Sequence, residues 1–171
     1  MTGDGVRVRH ARKGDGPGIA RCWEDAGRHY IEVDPSRYQV PEESGLADWF
    51  EHSLARGERD RAVFVAELED GSVGGFLHAR LERPAPEPWR QLQRDFARTR
   101  VFIDAIAVAQ PLRRRGVGER LMAAAEAWAR ENGAAVAFVD SFVAGPSAVP
   151  FYEKRMGYER RSIRFEKRLD P

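Results

Sequence analysis

One junction near the middle of the chain limits what it can fold into more than any other feature. Residues 101–108, VFIDAIAV, form a nearly continuous apolar run, and the ten residues after it, AQPLRRRGVG, hold a proline, three consecutive arginines and a Gly-x-Gly step. Beyond them Val117, Leu121, Ala124 and Trp128 recur at i, i+4, i+7 and i+11, and Asn132-Gly133 supplies a helix stop. A strand that is apolar on both faces must be covered on both. The junction therefore reads as a buried strand, a glycine loop and an amphipathic helix, and it calls for a sheet layered with helices.

The flanking sequence supplies those layers. Val6–His10 reads as a short strand, and Pro17, after the turn Gly14-Asp15-Gly16, suits the first turn of a helix running to about Tyr30, with Ile19, Cys22, Trp23 and Ala26 at helical spacing. A second helix is expected over Glu42–Arg56. AVFVAEL (62–68) and SVGGFLHARL (72–81) are β-rich runs joined at Asp70-Gly71, the dipeptide typical of a two-residue hairpin. Arg83–Arg98 is an excursion, proline-rich and then polar, with room for one short helix; Trp89, Leu92 and Phe96 are spaced to share one face of it, as a lid or a dimer contact would need. AVAFVDSFV (135–143) reads as a strand, Ser147–Met156 as a short helix stopped at Gly157, and Tyr158–Leu169 as a closing strand. The order β-α-α-β-β-β-α-β-α-β describes an α/β fold, a central mixed sheet flanked by helices, and 171 residues without an internal repeat fit one domain over 1–171.

Composition removes several function classes. The 28 Lys and Arg nearly cancel the 27 Asp and Glu for a net charge of +1, whereas a dedicated nucleic-acid binder is more basic. Cys22 is the one cysteine, so an intrachain disulfide and a thiolate metal cluster are excluded; the four histidines lack ligand spacing such as HExxH, and no metal is expected. No apolar run approaches the ~20 residues that cross a bilayer, and the first sixteen residues have no apolar signal core. The expected setting is the reducing cytoplasm, with neither membrane nor nucleic acid as partner.

The chemistry lies at the junction. A Gly-x-Gly turn between a buried strand and a helix directs several backbone N–H groups at one point, where the helix dipole also favours an anion, and Arg113, Arg114 and Arg115 add positive charge. No GxxxxGK[ST] run exists, and Gly14-Asp15-Gly16-Pro17-Gly18 lacks GxGxxG spacing, so an NTPase loop and a dinucleotide fingerprint are both excluded. Arg113-Arg114-Arg115-Gly116-Val117-Gly118 resembles the [Q/R]-x-x-G-x-[G/A] pyrophosphate motif of the GNAT superfamily of acyl-CoA-dependent N-acetyltransferases, and AVPFYEKRMGY (148–158) is similar to that family's A-x-x-[F/L]-Y-E-K-x-G-[F/Y] segment. The element order is GNAT-like over essentially the whole chain.

The resemblance implies that backbone amides of Arg113, Arg114, Arg115, Gly116, Val117 and Gly118 hold the pyrophosphate of acetyl-CoA, the cosubstrate. It implies that the end of the strand at Ile106 and Val108 pairs with the pantetheine arm, and that Tyr152 protonates the departing thiolate. A phenol with a pKa near 10 is a suitable acid for that leaving group. Two departures stand out. Gly145 occupies a position where the family often has Asn, leaving Ser147 as an alternative cofactor contact or a helix N-cap, and the run from Tyr152 to Gly157 is one residue longer than the commonest spacing, expected to lengthen a helix end. A general base is also required. Asp104, the only charge inside VFIDAIAV, is one candidate, expected to be a raised-pKa carboxylate unless it pairs with an arginine; Glu32 and Asp34 are the others.

The resulting expectation is an N-acetyltransferase acting directly on a primary amine, with a protein or peptide acetyltransferase or a non-catalytic acyl-CoA sensor as rivals and a homodimer left open. Between Glu24 and Glu51 eight acidic residues face only Arg28 and Arg37, an asymmetry that favours a small cationic acceptor.

Overall fold

The computed structural model describes residues 5–143, 145–167 and 169. Five strands, β1 (Arg7–His10), β2 (Arg61–Glu67), β3 (Val73–Glu82), β4 (Thr99–Val108) and β5 (Ala134–Val139), form one sheet in the order β1-β2-β3-β4-β5. The first four run antiparallel, and β5 returns parallel to β4. A parallel neighbour requires a long crossover, and α3 (Val117–Glu131) provides it. The mixed sheet flanked by helices is the architecture the sequence implies.

α1 (Gly16–Val33) carries Pro17 in its first turn, where the missing N–H has no helical partner to lose. Ile19, Cys22 and Ala26 from α1 pack with Val65, Phe76 and Ala107 of the sheet. Gly18 allows this approach, because a Cβ there would stand 2.6 Å from the Val73 side chain. On the opposite face α3 buries Val117, Leu121, Met122, Ala125 and Ala129; its stripe is turned from the expected Ala124 and Trp128, which stay half-buried. α2 (Leu46–Ala55) is shorter than expected because Gly45, at φ 76°, is left-handed and cannot continue a helix.

The hairpin at Asp70-Gly71 differs in one detail. Gly71 N–H donates to Leu68 O and Leu68 N–H to Ser72 O, so the loop has three residues with Gly71 left-handed at φ 81° rather than two. The Arg83–Arg98 excursion holds two single 3-10 turns, Pro88–Arg90 and Arg94–Ala97. Trp89 and Leu92 stay exposed, whereas Phe96 lies under the Arg100 guanidinium at 4.4 Å, so the three do not form one apolar face.

Arg9 ties β1 to the start of α1, donating to both carboxylate oxygens of Asp15 at 2.7 and 2.9 Å and bridging Glu67 at 2.7 Å. Burial alone would raise the Asp15 carboxyl, but Arg9 and the Arg12 N–H outweigh it and hold the group below the usual carboxylate range.

The chain divides into two compact units, Met1–Asp140 and Ser141–Pro171. In the second, α4 is only Ala148–Pro150 and runs into a wide turn at Phe151–Arg155, closed by Met156 N–H on Phe151 O, an i→i+5 bond. The extra residue between Tyr152 and Gly157 is absorbed by this π-helical turn instead of lengthening a helix end. The closing strand expected over Tyr158–Leu169 is not formed among the described residues, where Ile163, Phe165 and Leu169 are exposed; a strand is completed only by a ladder partner. Among the described residues no helix is long and apolar enough to cross a membrane, and no group of three His, Cys, Asp or Glu could hold a metal.

Candidate active site

β4 loses one of its neighbours before it ends. Its pairing with β5 stops at Ile103 opposite Val139, while on the other side β3 follows it to Val108 opposite Gly75. Ala109 N–H donates to Gly74 O at 2.9 Å. Because successive N–H groups of a strand point to alternate edges, Ile106 and Val108 direct theirs away from β3, toward the edge that β5 has left.

The chain then enters a strained loop. After a 3-10 turn at Gln110–Leu112, Arg113 is extended, Arg114 takes φ 61° and Gly116 φ 76°, and α3 begins at Val117. Among described non-glycine residues only Glu87 and Arg114 have positive φ, a conformation that costs ~1–2 kcal/mol. Left-handed residues alternating with ordinary ones draw neighbouring N–H groups to one side, a concavity suited to an anion, and no side chain caps the N terminus of α3.

Arg114 and Arg115 project into solvent, but Arg113 is committed elsewhere. Its Nε donates to Val108 O at 2.9 Å and its Nη2 to Asp25 Oδ2 at 2.7 Å, and the same Asp25 oxygen accepts the Gln110 N–H at 2.9 Å. Sequence reasoning missed Asp25. It stands 88 residues before Arg113, and its only signal was membership of the acidic segment.

The burial expected of Asp104 is corrected by the strand register. His78 pairs with Ala105 and Ala79 with Ile103, so Asp104 is the extra residue of a β-bulge and lies exposed. Arg80 Nε donates to its Oδ1 at 2.9 Å, the arginine pairing that was its structural alternative, and His78 Nδ1 stands 3.9 Å from its Oδ2. Arg80 is further fixed by Glu82 and by the Phe102 ring, 4.5 Å away. Burial pushes the His78 imidazole below its ordinary value. Glu32 is exposed on α1, and Asp34 accepts the Ser36 N–H and hydroxyl at 3.0 and 2.7 Å; the hydroxyl bond chiefly holds that carboxyl low.

Ile106, Val108 and Arg113–Gly118 thus meet in the first unit. Tyr152 and Ser147 belong to the second. There Tyr152 lies half-buried on the π-helical turn, its ring 5.2 Å edge-on from Phe151 and 6.0 Å from Tyr158. Ser147 precedes α4 but makes no side-chain cap bond to it.

The sequence profile of the Acetyltransferase (GNAT) family matches residues 21–158. The chain belongs to the GNAT family. Its fold is also that of solved structures of low sequence identity. A mutant of the BH1408 protein from Bacillus halodurans is 18% identical, with 95% of this chain and 99% of that chain covered at a TM-score of 0.80. An aminoglycoside acetyltransferase from an uncultured soil metagenomic sample, in complex with sisomicin, is 19% identical over 97% of both chains at 0.66. Glucosamine-6-phosphate N-acetyltransferase from Arabidopsis thaliana is 15% identical, covering 98% of this chain and 100% of that one at 0.65. No curated protein matches the sequence. GNAT enzymes are acyl-CoA-dependent transferases that use acetyl-CoA, and the open strand edge running into an uncapped helix N terminus fits such a cosubstrate.

Proposed function

We propose that this GNAT protein transfers an acetyl group from acetyl-CoA directly to a primary amine of a small cationic molecule. The observation that carries the reading is the continuity of the β4 edge with the loop and helix start, because it offers backbone donors in one line to an amide-bearing arm and to a pyrophosphate. On this reading the N–H groups from Arg113 to Gly118 hold the pyrophosphate, with Arg114 and Arg115 adding charge. Ile106 and Val108 pair with the pantetheine arm, and an N–H of that edge polarises the thioester carbonyl. Arg113 serves through its bonds to Val108 and Asp25, which brace the loop against α1. Tyr152 returns a proton to the leaving sulfur, and Ser147 is a second cofactor contact.

No covalent acyl-enzyme is needed. Cys22 is 2% exposed, and burial pushes its thiol up to about 11, the reverse of an activated nucleophile. The acceptor class follows from charge. Asp25, Asp34 and Glu51 are occupied in loop contacts and Glu24 pairs with Arg28, but Glu32, Glu42, Glu43 and Asp48 are exposed on or beside the first two helices. The aminoglycoside acetyltransferase among the matched structures adds support for a cationic amino sugar.

A panel of polyamines, amino sugars, basic peptides and anionic amines, followed by CoA release, tests the proposal. The expected best acceptor is a small cation whose kcat/KM falls as ionic strength rises. An anionic best acceptor would refute the acceptor class, and tight acetyl-CoA binding without turnover of any amine would identify a sensor instead.

A further inference from the structure

We infer that Arg113 fixes where the open row of β4 ends relative to the start of α3, so that two separate sets of backbone donors act on one long ligand as a single site. The inference rests on the acetyl-CoA reading above and adds to the brace a role in setting the register of the cosubstrate.

Val108 is the last residue of β4. Ala109 N–H donates to Gly74 O at 2.9 Å, and the residue before it on an antiparallel strand turns both its N–H and its C=O to the other edge. β5 leaves that edge after Ile103. The groups presented there are the N–H and C=O of Val108 and Ile106, ~6.6 Å apart from one residue to the other. One of the four is taken, because Arg113 Nε donates to Val108 O at 2.9 Å. From the loop inward, the row left to a ligand is therefore Val108 N–H, Ile106 O and Ile106 N–H. A guanidinium closes it at one end, and the Asp104 bulge with the last β5 rung closes it at the other. Pairing on a strand keeps the same groups facing the partner only when it shifts by two residues. An amide-bearing chain thus has one placement that uses all three groups.

The same guanidinium sets the distance from this row to the loop. Arg113 follows Val108 by five residues, and the segment between them is a single 3-10 turn that leads to an extended Arg113 and a left-handed Arg114 at φ 61°. Such a backbone persists only where its surroundings over-determine it. Arg113 supplies two points of attachment, Nε on Val108 O and Nη2 on Asp25 Oδ2 at 2.7 Å, and Asp25 Oδ2 also accepts the Gln110 N–H at 2.9 Å. A planar guanidinium holds two acceptors in a fixed fork, whereas an ammonium is a single point of charge. The Arg113 and Asp25 side chains are 32% and 26% exposed, so the pair adds little to the core. The N–H groups of Gly116, Val117 and Gly118 are held by α3 itself.

A ligand that spans both sets of donors binds tightly only when their separation is fixed, because the effective concentration of the second contact falls as the geometry wanders. Loosening the fork leaves each set of donors intact. A ligand confined to one set should not feel the change, whereas one that uses both should, as should the reaction, since a misplacement of ~1 Å costs up to about 10²-fold in rate.

The test uses the full chain as wild type, Arg113→Lys and Arg113→Met, with CoA, with adenosine diphosphate as its pyrophosphate half and with pantetheine as its arm. Backbone amide shifts in NMR titrations give the two weak affinities, and calorimetry gives that of CoA. Both variants are expected to bind each half within about threefold of wild type and CoA about 10- to 100-fold more weakly. With the best amine and saturating acetyl-CoA, kcat should fall by roughly 10- to 10²-fold. Lysine keeps the charge, so a loss shared by the two variants belongs to the fork. CoA affinity equal to wild type in both would overturn the inference, and so would a loss matched by an equal loss for either half alone, which would make Arg113 a direct contact of that half. A lysine variant without a native amide spectrum would overturn it too, because the residue would then serve the fold. Failure of the wild-type protein to bind CoA would instead remove the acetyl-CoA reading itself, a result separate from any comparison among the variants.

Discussion

Gly116 and Gly133 stand just before and just after α3 with nearly equal backbones, φ 76° and 81°, and a Cβ added to either would meet no atom within 4 Å. Valine at either site must therefore bear the left-handed penalty, and its Cβ meets nothing else within the fold. That penalty is ~1–2 kcal/mol for an ordinary residue, and a β-branched one lies at about 2 kcal/mol. For a chain of this length the melting midpoint should fall by roughly 4–8 °C in both variants, which leaves them folded. Only Gly116 fronts the proposed pyrophosphate loop. Its new side chain would keep oxygens from at least two N–H groups, and at ~1.5 kcal/mol for each charge-assisted bond the loss is ~3 kcal/mol, about 100-fold in affinity. Scanning calorimetry measures the first quantity and titration with CoA the second. Gly133→Val should lose stability and keep CoA, whereas Gly116→Val should lose both. A Gly116→Val protein destabilised like its control yet binding CoA with wild-type affinity would refute the placement of the cofactor.

Three further outcomes are expected. Tyr152→Phe should lower kcat by roughly 10- to 10⁴-fold with acetyl-CoA affinity unchanged, as steady-state kinetics beside calorimetry would reveal. Asp25→Asn weakens the brace on Arg113 and on the Gln110 N–H while leaving the amides of residues 113–118 unaltered, so CoA affinity should fall by about tenfold or less, a smaller effect than that of Gly116→Val. The Asp15 carboxyl is held below its ordinary value in the folded state, so the folded protein binds fewer protons there than the unfolded chain. Its contribution to stability is complete above that ordinary value and disappears as the pH falls through the folded one; urea titrations at pH 3 to 7 should show a shallower acid loss in Asp15→Asn.

The parts of the fold that were legible in the sequence are those decided locally. VFIDAIAV and the helix after it need only their own periodicity, although the buried face of α3 is turned from Ala124 and Trp128, and Pro17 and Asn132-Gly133 mark the start of α1 and the end of α3 by backbone chemistry alone. The parts that escaped depend on a partner distant in sequence. A single extra residue opposite β3 makes the bulge that brings Asp104 to the surface, and nothing within the strand announces it. The Asp25 brace joins α1 to a loop far along the chain. Tyr158–Leu169 carries strand-like residues, yet β structure is completed by a neighbouring ladder that local composition cannot promise.

The open stretch of β4 has a consequence for colloidal behaviour. An unpaired row of N–H and C=O groups is what recruits foreign strands into aggregates, and proteins blunt such rows by keeping them short, bulged and charged. Here the row that β5 leaves unpaired spans only residues 104–108, begins at a bulge bearing a carboxylate, and has its last carbonyl claimed by Arg113. A second polypeptide would find too few donors in register to extend the sheet. On the cofactor reading, a slender chain with one or two amides needs no more than that, so the features that would admit it also make this row a poor template for strand addition.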